Sequence, residues 1–169
     1  MMEEVDISNK IPSDFHTAIS SSAWKERKAT LEAMLEVAKA NLKIKDSEAV
    51  GEVAKACGKR MTDANVQCVM LAANVLEALA QNVGPSFGKY QSALISPMLE
   101  RLKERKQNVV DTIGQALDAV FATVWFYSFG FYAELFISHL LLFRPHFPTL
   151  QRLSLPLSSQ KIRKSKTGH

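Results

Sequence analysis

Few of the side chains that could do covalent or metal chemistry are spaced to do it. His16, His139, His146 and His169 share no interval that would hold a metal ion. Asp63, Asp111 and Asp118 form no recognisable carboxylate dyad, and the chain has neither a nucleophile motif nor a phosphate-cradling glycine loop. Cys57 and Cys68 each fall inside an apolar pattern, with no CxxC and no zinc spacing. They read as small buried hydrophobes of a reducing compartment. No enzyme activity, cofactor or metal site is therefore expected. The chemistry that remains is recognition. In Ser22-Ala23-Trp24-Lys25-Glu26-Arg27-Lys28 an indole stands at the mouth of a helix beside three cations. Such a Trp is either an exposed anchor for a partner, a role in which Trp is enriched, or a lid folded over its own helices.

A helix must carry that Trp. Behind it, Leu31, Met34, Leu35 and Ala38 recur at i, i+3, i+4, i+7, which predicts a helix from Trp24 to about Lys39 with one apolar face. The construction repeats. Asn65-Val66 opens a second such helix and Asn108-Val109 a third, at steps of roughly 42 and 43 residues, within the range of HEAT- and armadillo-type helix pairs. Stacked pairs bring equivalent turns out along one edge. The spacing thus predicts Trp24, Val66 and Val109 on a single ridge, with Asn65 and Asn108 as N-caps. Lys25, Arg27, Lys103 and Lys106 would cluster on the same ridge, suiting an acidic partner.

The remaining elements complete an all-α chain, a solenoid of HEAT-like antiparallel helix pairs. Residues 1–12 read as an extended polar lead, and 13–124 as three helix pairs. A short helix through Phe15 and Ile19 precedes the Trp24 helix. Asp46 or Ser47 caps the third helix, whose stripe is Val50, Val53, Ala54 and Cys57. Val66, Val69, Met70, Ala73 and Leu76 line the fourth, which ends near Gln81. Ser86 is expected to cap a fifth helix with Phe87, Tyr90, Leu94, Met98 and Leu102 inward, kinked at Pro97. Val110, Ile113, Leu117, Val120 and Phe121 form the inner face of the sixth. A length of 169 residues allows one domain with a real core. The net charge of +4 comes mostly from the last nine residues, so the body carries no electrostatic case for nucleic acid. The acidic N-terminus has no apolar run and does not read as a secretory signal.

After Val124 the pattern changes. Residues 125–157 are aromatic and apolar without helical period, and 158–169 form a basic tail that reads as disordered. Residues 119–143 are long enough to span a bilayer. Glu134 falls inside that stretch, at a cost of about 2.5–3.5 kcal/mol for a charge at a helix centre, so no membrane partner is expected. A local helix covering the open end of the stack, or an altered C-terminal ending, are the other readings.

From Val5 to Val124 the chain resembles a TOG domain, the tubulin-binding HEAT-repeat module of microtubule polymerases. The residues that carry the likeness are Val5-Asp6-Ile7, Lys10-Ile11-Pro12, Asp14-Phe15, the run Trp24 to Ala33, Ala72-Ala73, Leu79-Ala80, Phe87, Tyr90, the run Pro97 to Lys106, and Gln115 to Thr123. Their order most resembles the second TOG domain of the polymerase array. The resemblance implies a paddle whose intra-repeat turns grip curved αβ-tubulin. It assigns tubulin contacts to Trp24 and Lys25 in the first turn, Asn65 and Val66 in the second, and Lys106, Asn108 and Val109 in the third. It further implies plus-end growth and spindle organisation as the role, and the cytoplasm, microtubules and spindle poles as the location. At Trp125 the sequence departs from the family pattern, which has six repeats, so a truncated paddle with a divergent C-terminus is expected. The alternative function is a generic HEAT-repeat scaffold that binds a peptide or helix in its groove.

Overall fold

A computed structural model describes residues 3–127, with side-chain surroundings through Val124. The expectations for 128–169 lie outside the described residues, as does most of the membrane reading. Among the described residues six α-helices follow in order: α1 Phe15–Ala18, α2 Trp24–Ala40, α3 Glu48–Lys59, α4 Val66–Val83, α5 Gln91–Arg101 and α6 Gln107–Tyr127. Two 3-10 segments interrupt them, Arg60–Thr62 and Gly84–Tyr90.

The apolar stripes decide the packing. Leu31, Met34, Leu35 and Ala38 of α2, Val50, Val53, Ala54 and Cys57 of α3, and Ile113, Leu117 and Val120 of α6 are all buried, as their spacing requires. The helix α4 is the axis of the slab. It packs against α2 on one side and α6 on the other, while α3 and α5 form the second layer. That position explains its composition: Val69, Ala72, Ala73, Val75, Leu76 and Leu79 are fully enclosed, so α4 is apolar nearly all round.

Two departures from expectation concern one helix start and the N-terminal lead. Ser86 does not cap a helix. Gly84 takes φ 73° and ψ −146°, a backbone region open essentially to glycine alone, and the chain winds as a 3-10 segment until Gln91. Phe87 and Tyr90 are nonetheless buried there, edge to face at 5.4 Å. The lead is also not simply extended. Val5 pairs with Ile44 in one parallel bridge, through Val5 N–H to Lys43 O at 2.9 Å and Lys45 N–H to Val5 O at 2.9 Å, and Ile7 is buried.

These contacts lock the edge where α2 and α4 end. Ile44 N–H donates to Asn82 O at 2.8 Å, and Asn82 Nδ2 donates to Ala38 O at 2.9 Å. Tyr90 O–H donates to Asp46 Oδ1 at 2.9 Å, and Lys89 pairs with the same carboxylate while lying over the Tyr90 ring. Gly51 makes room for that phenol: a Cβ there would sit 2.7 Å from Tyr90 Cε1. Gly51→Ala is expected to lower unfolding stability by about 1–3 kcal/mol in urea titration, as overpacking of a tight core contact does.

Candidate functional site

The three intra-pair turns, 19–23, 60–65 and 102–106, lie along the edge opposite the one just described. Direct contacts place the starts of α2, α4 and α6 side by side there. Cys68 Sγ lies 3.6 Å from Trp24 O, and Asn108 Nδ2 lies 3.9 Å from Met70 Sδ. The three helices therefore run parallel, with their N-terminal dipole ends on one rim.

Trp24 is the first residue of α2 and is 40% exposed. Among the described residues it and Leu42 are the exposed large hydrophobics. Lys25 beside it is exposed. Asn65 is the N-cap of α4, accepting from Gln67 N–H at 2.9 Å, and Val66 follows half-buried as the first helical residue. The third turn differs from expectation. The helix starts at Gln107, because Lys106 O accepts the amides of Val109 and Val110 at 3.0 and 3.2 Å. Lys106 therefore stands at the cap position with its side chain exposed. Asn108 is not a cap; it lies inside the first turn, exposed. Val109 leaves the ridge altogether and is fully buried. The residue in register with Trp24 and Val66 is Gln107.

Arg27 is the other correction. It is not a solvated helix end. Its Nε and Nη2 donate to Asp63 Oδ2 and Oδ1, both at 2.8 Å, while Nη1 donates to the carbonyls of Ser21 at 2.8 Å and Ser22 at 3.0 Å. The Asp63 side chain is 1% exposed. It also accepts from Asn65 N–H at 2.8 Å and from Arg60 Nη1 at 3.3 Å. Burial pushes the Asp63 carboxyl up, but the Arg27 hydrogen bonds, the Asn65 amide and the charges of Arg27 and Arg60 together outweigh it and hold the group below the ordinary carboxylate range. The guanidinium is in turn held above its ordinary value, chiefly by that hydrogen bond. The signal in the sequence was position: Arg27 lies four residues before Leu31 and seven before Met34, on the apolar stripe itself.

Cations gather on this rim: Lys25, Lys103, Arg105 and Lys106 are exposed, and of these four Lys103 pairs with an acid, Glu100, at 2.8 Å. The first turn of α2 has Glu26 as its acidic residue, and those of α4 and α6 have none. At the opposite edge α3 follows the usual rule, with Ser47 as its side-chain cap and Glu48 in the first turn. Both cysteines are buried. Burial pushes the Cys57 thiol up to about 12 and raises that of Cys68, so each is held as the neutral thiol.

No family model matches the sequence. Individual proteins do. The chain is 38% identical over 123 residues to the spindle pole body component alp14 of Schizosaccharomyces pombe, covering 73% of this chain and 15% of that protein. It is 34% identical over 124 residues to the protein mini spindles of Drosophila melanogaster, covering 73% and 6%. It is 30% identical over 169 residues to zygote defective protein 9 of Caenorhabditis elegans, covering 96% and 12%. The chain thus spans a small part of the length of each. Two solved structures share the fold. One concerns microtubule plus-end tracking by XMAP215, CLIP-170 and EB1, with 34% identity, a TM-score of 0.68, and 72% of this chain and 50% of that one covered. The other concerns tubulin recruitment and assembly by microtubule polymerases with TOG domain arrays, with 33% identity, a TM-score of 0.70, and 76% and 27% covered.

Two measurements check the geometry of the rim. Val109→Ala is expected to cost about 1.5–3 kcal/mol in urea unfolding, as loss of two buried methyl groups does, whereas Val66→Ala should cost less than half as much. Because the folded-state pKa of Asp63 is depressed, its contribution to stability is present above the ordinary carboxylate range and is lost as pH falls through the depressed value. The melting temperature should be flat from about pH 5 to 9 and fall below about pH 4, and Asp63→Asn should make that acid limb shallower.

Proposed function

The chain belongs to the TOG-domain family of microtubule-associated HEAT-repeat proteins, and on that premise we propose that its rim binds the αβ-tubulin heterodimer. The observation that carries this reading is the chemistry of one edge. Three parallel helix starts converge there with an exposed indole, exposed Lys25 and Lys106, and one acid among their first turns. Cations at helix starts oppose the dipole and cost local stability. Their concentration on the rim suits a partner with an acidic surface, whose approach they would accelerate. Trp24 supplies the central apolar contact, Val66 extends it, Asn65 shapes the second turn, and Lys25, Lys106 and Asn108 provide the polar surround. Val109 acts from beneath as core.

Such a rim has a fixed outline, so it discriminates by shape. It matches curved, unpolymerised tubulin better than the straight lattice, and incorporation then favours release. No bond is made or broken in this mechanism. A single domain binds modestly, and several in tandem supply avidity at growing plus ends. The placement as the second domain of an array, and the location at microtubules, spindle poles and centrosomes, belong to the same proposal; relatives described as spindle pole body and centrosomal proteins support the location. A scaffold reading, with a peptide in a groove, would place its aromatic anchor inside the slab, and the 40% exposure of Trp24 at the edge speaks for the rim instead.

The full chain should co-elute with tubulin in size-exclusion chromatography. Trp24→Ala combined with Lys106→Ala should abolish co-elution while leaving the helical circular dichroism unchanged. Retention of tubulin by the double variant at the parent's level would refute the rim assignment.

A further inference from the structure

We propose that Arg27 and Asp63 are positioning residues of the binding rim: their buried pair sets the backbone that carries Trp24, and partner affinity depends on that pair through Trp24. This rests on the rim reading above.

The entrance of α2 has no side-chain cap of its own. Its N-cap is Ala23, held by Ser21 Oγ accepting from Ala23 N–H at 3.1 Å. The turn is fastened from elsewhere. Arg27, one helical turn below Trp24, donates to the carbonyls of Ser21 and Ser22 through one nitrogen and to both Asp63 oxygens through the other two. Asp63 continues the chain of contacts to Asn65 N–H, the cap of α4, and Cys68 Sγ approaches Trp24 O from the same helix. The first and second turns are thereby one unit. In the third turn the bonds are local, from Lys103 to Glu100 and from Arg101 to Glu104. A lysine at 27 could keep a charge beside Asp63 but could not serve two carboxylate oxygens and two carbonyls at once, because the planar fork of Arg is what reaches all four.

The test uses the full chain and purified tubulin. Arg27→Lys is expected to weaken binding about tenfold, the scale of losing a central interface anchor. Three further measurements separate positioning from general stability. Val53→Ala, a core change in α3 remote from the rim, should lower the melting temperature yet leave affinity within about twofold. With Trp24 already replaced by Ala, adding Arg27→Lys should cost less than about twofold more. In a Trp125→Phe background, acrylamide quenching of Trp24 emission should rise in Arg27→Lys, and Asp63→Asn should raise it in the same direction. Equal losses of affinity with and without Trp24, or a Val53→Ala loss matching that of Arg27→Lys, would overturn the proposal. So would unchanged quenching. If the parent chain bound no tubulin, the rim reading would fall by itself, and the quenching result would decide the positioning role.

Discussion

A guanidinium and a carboxylate, taken out of water together and joined by two parallel hydrogen bonds, hold one long edge of this protein in shape. Burying Arg27 and Asp63 brings little net stability, because the desolvation of two charges offsets most of their attraction. What the pair supplies is register. Every polar atom of the fork has a partner: two carboxylate oxygens, two loop carbonyls, and beyond them the amide of the next helix cap. Unpaired, either charge would be costly in that setting, so the two turns are obliged to stay together. The indole of Trp24 and the start of α4 inherit a fixed separation.

The two long edges of the slab obey different rules. Where α2 and α4 end, local and tertiary preferences agree. Asn41 and Asn82 close helix carbonyls, Asp46 takes the Tyr90 hydroxyl, and the N-terminal lead pairs with the loop at Ile44. Where the helices begin, the preferences conflict: positive charge stands on positive dipole ends, and a large aromatic remains in water. Local rules are broken on one edge and kept on the other, as is expected when one edge is shaped for a partner.

Stiffness joins the two. The Tyr90 phenol packs so closely on Gly51 that no side chain fits between them, and Gly58 lies against Leu94 and the Ala93 carbonyl. Close approach of this kind ties α3 to the 3-10 segment at Tyr90 and to α5, while α4 is gripped by α2 and α6. A slab packed to that density deforms little. A rim on such a support presents one outline, and a partner of matching curvature would bind it without the cost of ordering it.

Much of the fold was legible in the sequence. The stripes of α2, α3 and α6 place their buried residues correctly, and that of α4 does so for Val69, Ala73 and Leu76 while Val66 and Met70 are half-buried, since apolar spacing reports which face of a helix must leave water. Repetition of those stripes was enough to expect stacked pairs with a shared edge, and Trp24, Lys25, Asn65, Val66 and Lys106 all lie on it. The errors fell where a local rule competed with packing. Asn108 is a good cap by type, yet the stripe of α6 begins at Val109, four residues before Ile113, and burying that valine draws the helix start back to Gln107. Arg27 interrupted an apolar stripe, a visible mark of a buried charge. Its partner lay 36 positions away, and nothing in a linear pattern selects Asp63 from the other acids. Sequence by itself determined which faces turn inward, because burial follows from residue type and helical period. Only the tertiary structure decided which turns touch and which charges pair, because those depend on where separate helices come to rest against one another.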